Sequence, residues 1–125
     1  MKRILIAVAL VFAAIYAFKA YDKGRTVDVA RTRVVAMLRA MSERDEQTAL
    51  CRWALDKEVL DRETMSFYYD RFLHFVSASG IDGSGWSVGD AKPTDDGRAT
   101  MVTARSADRT VTLKVTEGLP IELKE

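Results

Sequence analysis

The sequence predicts an α+β protein: an N-terminal transmembrane helix, then about three helices packed on a curved antiparallel meander of about four strands. Three observations carry that prediction. Ile4 to Phe18 is an uninterrupted apolar run, apolar spacing of three and four recurs from Val27 to Val76, and beyond Gly80 the period falls to two.

The first run, ILIAVALVFAAIYAF, is entered from Lys2 and Arg3 and left through Lys19. Ile4, Leu5, Ile6, Leu10, Val11, Phe12, Ile15 and Phe18 are its membrane-facing candidates. A spanning helix wants about 20 apolar residues and tolerates about 17. The stretch to Tyr21 meets the lower figure if Lys19 extends its methylenes along the bilayer, and Tyr16, Phe18 and Tyr21 gather where aromatic rings favour the interface. A cleaved export signal fits the basic start and short apolar core, but it wants small residues at the cut, and Phe18 precedes Lys19-Ala20. An uncleaved anchor over residues 1–21, a joint over 22–25 and a small domain over 26–125 is the expected organisation. The basic start favours a bacterial inner-membrane protein with its C-terminal domain in the periplasm. Lys19, Lys23, Arg25, Arg31 and Arg33 follow the span closely and favour the cytoplasmic orientation instead.

After the anchor, about 100 residues suffice for one core. Charge is balanced, 19 Lys plus Arg against 18 Asp plus Glu, so no electrostatic footprint for nucleic acid exists. One cysteine, Cys51, and one histidine, His74, cannot form a zinc ligand set, and no cofactor is implied. Cys51 reads as a small buried hydrophobe.

The first soluble helix carries Val27, Ala30, Val34, Met37, Leu38 and Met41 on one stripe. Arg31, Arg33 and Arg39 fall on or beside the other face, where they read as solvated. Ser42-Glu43-Arg44-Asp45 has the form of a capping signature. A second helix follows over Glu46 to Leu55, with Trp53 as a core anchor. After the polar link from Asp56 to Asp61, a third runs from about Arg62 to Ala78 on the stripe Met65, Tyr68, Tyr69, Phe72, Leu73 and Val76. Gly80 is placed to end it.

Four strand candidates follow. Trp86 and Val88 alternate with Ser87 and Gly89, and Lys92 to Gly97 is turn chemistry. Arg98 to Arg105 is rich in Thr, Val and Met, and Thr110 to Thr116 alternates cleanly. Leu119 to Leu123 is short, and Pro120 makes it an edge strand or delays its start.

The order of anchor, helix ending in MSERD, helix EQTALCRWA, helix, and strands closing in VTLKVTEGLPIEL resembles the NTF2-like (cystatin-like cone) superfamily, in particular its small membrane-anchored bacterial members. The similarity covers residues 26 to 124 and is one of pattern. The sheet is one or two strands short of that family's, and Pro120-Ile121 stands where a closing Trp is usual. The resemblance implies a cone-shaped sheet around a pocket and transfers no activity, because the fold hosts enzymes, ligand binders and scaffolds.

The densest cluster of chemistry-bearing groups is Tyr68, Tyr69, Asp70 and His74. Asp70 and His74 are four apart, so a carboxylate can orient an imidazole for acid–base work. The same spacing describes a solvated helix face, and no family motif matches these residues one by one. The sequence therefore reads as a membrane-tethered, non-catalytic binding or assembly domain of the cell envelope. Its expected partners are the lipid bilayer and a protein or second copy met through Trp53, Tyr69 and Trp86. The alternative is a cone-pocket protein that binds or isomerises a small apolar ligand, with Asp70, His74 and Tyr68 as catalytic candidates.

Overall fold

The computed structural model describes residues 26–81 and 85–124. Helix α1 covers 26–42, α2 is Glu46–Leu55 and α3 is Arg62–Ser79. Strands β1 (Ser87–Pro93), β2 (Ala99–Arg105), β3 (Thr110–Thr116) and β4 (Glu122–Lys124) follow. They form one antiparallel sheet in the order β1-β2-β3-β4, an α+β arrangement.

One part of the expected architecture is corrected. Among the described residues no helix is long and apolar enough to cross a membrane. Charged residues, Arg31, Arg33 and Arg39 in α1 and Asp70 and Arg71 in α3, stand between the apolar positions, so neither helix is apolar all round. The proposed anchor residues, Ile4 to Phe18, and the joint over 22–25 lie outside the described residues.

The helix ends follow from local chemistry. α1 buries Ala30, Val34, Met37 and Leu38. It closes through Arg44, in the left-handed region at φ 59°: the Arg44 N–H donates to the Met41 carbonyl (3.1 Å) and the Asp45 N–H to the Ala40 carbonyl (2.8 Å). That is a Schellman closure with arginine where glycine is commoner. The capping residue of α2 is then Asp45, whose carboxylate accepts from the Thr48 N–H (3.2 Å) and hydroxyl (2.6 Å). Ser42, read from sequence as the cap, instead closes α1 by donating its hydroxyl to the Arg39 carbonyl at 2.8 Å. Asp61 caps α3 by accepting from the Thr64 N–H at 3.0 Å. Gly80, at φ 73°, ends α3, and the Arg109 guanidinium donates to the Ala78 carbonyl there at 3.1 Å.

The core lies between the helices and one sheet face. Val102, Ala104, Val111, Leu113 and Val115 point into it, while Met101, Thr103, Thr112 and Lys114 form the other, half-buried face. An antiparallel sheet with one packed and one solvated side alternates in this way. In β1 the register slips between Val88, paired with Ala104, and Ala91, paired with Val102. Two residues, Gly89 and Asp90, thus stand opposite Thr103 alone. This β-bulge keeps both Val88 and Ala91 against the core. β4 is an edge strand that starts at Glu122, two residues after Pro120, which has no N–H for the ladder.

Trp53 is the hub. Its ring meets Phe72 at 5.5 Å, Phe75 at 5.8 Å and Tyr68 edge-on at 6.2 Å. Its Nε1–H donates to the Ile121 carbonyl (2.9 Å), and the Ile121 N–H returns a bond to the Trp53 carbonyl (3.0 Å).

Arg33 corrects a second expectation. It is 3% exposed rather than solvated, and it donates to four backbone carbonyls. These are Arg52 (2.7 Å), Trp53 (2.7 Å), Thr116 (3.2 Å) and Leu119 (2.8 Å). The first two are at the C-terminal end of α2, where carbonyls lack helical partners and the helix dipole is negative. The other two flank the β3–β4 turn. One cation therefore joins α1, α2 and the end of the sheet.

Candidate functional site

α3 carries most of the candidate residues, and its packing sorts them. Phe72, Phe75 and Ser79 are buried, with Tyr68, Met65 and Val76 partly so. The opposite face therefore looks outward. Along it run Arg62, Ser66, Tyr69, Asp70 and Leu73 at helical spacing, with Phe67 to one side.

The exposed side of α3 carries three large apolar groups among its charged and polar residues. Phe67 is 70% exposed, Tyr69 43% and Leu73 42%. Two open grooves flank it. One, of about 530 Å³, lies against α2 and is lined by Glu46, Gln47, Leu50, Arg62, Met65 and Tyr69. The other, of about 510 Å³, lies against β4. Its floor includes Trp53, Phe75 and Ile121, and its rim Asp70, Arg71, His74 and Glu122.

The sequence-predicted acid–base group is brought to one groove but not assembled. Asp70 and His74 are both exposed on the rim, and among the described residues no hydrogen bond joins them. Tyr68 turns away from them and packs edge-on against Trp53, with the Arg71 guanidinium carbon 5.7 Å from its ring centre. An oriented imidazole, a second fixed group and a dry surrounding are the usual needs of such chemistry. The solvated pair has none of them in place. Among the described residues no three His, Cys, Asp or Glu side chains stand together to hold a metal ion.

The three expected partner-surface residues separate. Trp53 is 3% exposed and belongs to the core, so it presents no surface. Tyr69 is on the outer face of α3. Trp86 is half-buried in a third recess of about 320 Å³, beside Val35 and Leu38 of α1. The sequence reading missed Phe67. Its signal was an aromatic residue lying off the expected stripe of Met65, Tyr68, Tyr69, Phe72, Leu73 and Val76, of which Tyr69 and Leu73 prove to be exposed.

Among the described residues three carboxylates have displaced titrations, all in turn or cap positions. Hydroxyl and backbone N–H bonds from Thr48 hold Asp45 below the ordinary aspartate range, as bonds from Thr64 do for Asp61. The Thr94 hydroxyl and the Arg98 N–H do the same for Asp96. Burial pushes the Arg33 guanidinium down, and the Asp56 carboxylate pulls the other way. These groups serve the fold.

No family model, curated protein or solved structure matches the chain.

Proposed function

We propose that this domain works by binding a protein through the outer face of α3, and not by catalysis. The observation that carries the reading is the exposure of Phe67, Tyr69 and Leu73 on one helix. Buried apolar surface is worth about 25 cal/mol per Å², so large apolar groups left in water, Tyr69 and Leu73 one turn apart and Phe67 on the flank, favour a contact there. Balanced charge, 19 basic against 18 acidic residues, favours an apolar contact over a polyelectrolyte partner. The likeness to NTF2-like domains belongs to this proposal, supported by the order of three helices before a meander.

We place the domain in the cell envelope, outside the cytoplasm. The apolar run Ile4 to Phe18 behind Lys2 and Arg3 supports this, having the composition of an export segment. An export-dependent reporter fused at Glu125 is active under this reading and silent if the domain stays in the cytoplasm.

A photo-crosslinking side chain at position 73 tests the surface. In cells it yields a protein adduct, while the same group at position 103, on the open sheet face, yields none. Adducts at 103 and not at 73 contradict the proposal.

The α3–β4 groove favours one second reading, a small apolar ligand over Trp53, Phe75 and Ile121 with Asp70 and His74 at the mouth. Under it, a ligand-dependent rise in melting temperature disappears in Asp70→Ala and His74→Ala. Under the protein-binding reading both variants fold, and His74→Ala binds as before.

A further inference from the structure

We infer that the partner met by α3 is a second copy of this chain, packed α3 against α3, antiparallel, about a twofold axis at Ser66. The inference rests on the binding role proposed for this face and names its partner.

The charges on the helix select the partner and the register. A twofold axis makes the same patch face itself, so residue i meets residue j and j meets i. With antiparallel helices crossing at Ser66, the positions that face each other sum to twice 66. Arg62 then stands opposite Asp70 of the second copy, and Asp70 opposite Arg62 of the second copy, giving two equivalent ion pairs. Two other arrangements of the same face are worse. Moving the axis to residue 70 sets Asp70 against Asp70, and a parallel pairing sets Arg62 against Arg62 as well. Like charges forced together at an interface repel, which is how charge fixes register.

The remaining residues fit the same crossing. Ser66 is small and exposed, so the helix axes can approach to about 8–10 Å at the point of contact. Tyr69 stands opposite Glu63, a phenol donor to a carboxylate acceptor. Phe67 lies on the flank of this contact, outside the Ser66 line, and Met65 stays packed on its own core. An 18-residue helix is about 27 Å long, so the contact is small and the dimer weak, micromolar or looser.

The test uses the full chain in a mild non-ionic detergent, with sedimentation equilibrium as the readout. The wild type shows a concentration-dependent monomer–dimer equilibrium. Arg62→Asp and Asp70→Arg each sediment as monomers, because each sets like charges against each other twice. Mixed in equal amounts they associate with one another, since every facing pair is then opposite in sign. Folding of each variant is checked by circular dichroism, and both sites are exposed. In parallel, Ser66→Cys cross-links to itself under mild oxidation, whereas Ser77→Cys, about three turns from the axis, does not; buried Cys51 stays inert.

A monomeric wild type, an association that survives single charge reversal, or a mixture that stays monomeric overturns the inference. Adducts of position 73 with a different protein, from a chain that sediments as a monomer, overturn the second copy and leave the binding role standing. Absence of any adduct at position 73 together with a monomeric chain removes both.

Discussion

The backbone carbonyl of Trp53 accepts two hydrogen bonds, from Arg33 Nη2 at 2.7 Å and from the Ile121 N–H at 3.0 Å. It is the point where α1, the end of α2 and the approach to β4 are fastened together. The tryptophan ring below it organises Phe72, Phe75 and Tyr68 of α3. The position of α3, and so of its outward face, depends on this junction.

Removing the arginine should therefore loosen the whole domain. Arg33→Ala deprives the carbonyls of Arg52, Thr116 and Leu119 of this donor and leaves Trp53 with one. Unsatisfied buried groups cost about 1–3 kcal/mol each, with partial relief where water enters. We expect a loss of about 3 kcal/mol or more in urea unfolding. Arg33→Lys keeps the charge without the planar fork, so it recovers only part of the loss.

Trp53 separates packing from hydrogen bonding. Trp53→Phe keeps an aromatic ring against Phe72 and Phe75 but leaves the Ile121 carbonyl without its Nε1–H donor. The expected cost is about 1–3 kcal/mol. Trp53→Ala adds a cavity in the core and should cost about 3–5 kcal/mol. Equal losses for the two variants in chemical unfolding would contradict this division.

Acid should unfold the domain through its caps. Asp45, Asp61 and Asp96 are all held below the ordinary value, because threonine hydroxyls and backbone N–H groups bind the ionised form. The unfolded chain titrates near pH 3.9, so below that point it binds more protons than the folded chain. The stability these groups supply is complete above about pH 4 and is lost as pH falls through the lowered folded values. Replacing all three with Asn should flatten the acid limb of a melting-temperature profile and leave its shape at pH 6–8 unchanged.

Gly80 makes a sharper local test. Its φ of 73° is costly for a side chain, and an added Cβ meets Arg109 Nη1 at 2.5 Å. Gly80→Ala should cost about 1–2 kcal/mol from the left-handed backbone alone. Displacing Arg109 from the Ala78 carbonyl adds to that. In Arg109→Ala the steric part disappears, so the cost of Gly80→Ala should shrink in that background.

The legible parts of the fold were those written in short-range chemistry. The bounds of α2 and β3 followed from clean periodicity ending at turn residues, Asp45 and Asp56 for the first and Asp108 and Gly118 for the second. The late start of β4 followed from Pro120. The role of Arg33 was not legible, because its acceptors are backbone carbonyls 19 to 86 residues away, and carbonyls leave no mark in a sequence. Ser42 misled for a different reason: Ser42 and Asp45 are both capping residues, and only the left-handed turn at Arg44 decides between them. At the candidate site, spacing sets Asp70 and His74 four apart on one helix, but spacing alone does not say whether that face is solvated. Phe67 stood out only once the stripe beside it was known to be the buried one.

The most direct measurement is the concentration dependence of the amide NMR shifts of the full chain. The account predicts that dilution moves signals along 62–73, centred on Ser66, and leaves those of 99–116 in place. Shifts that cluster on the sheet, or none at any concentration, would contradict it.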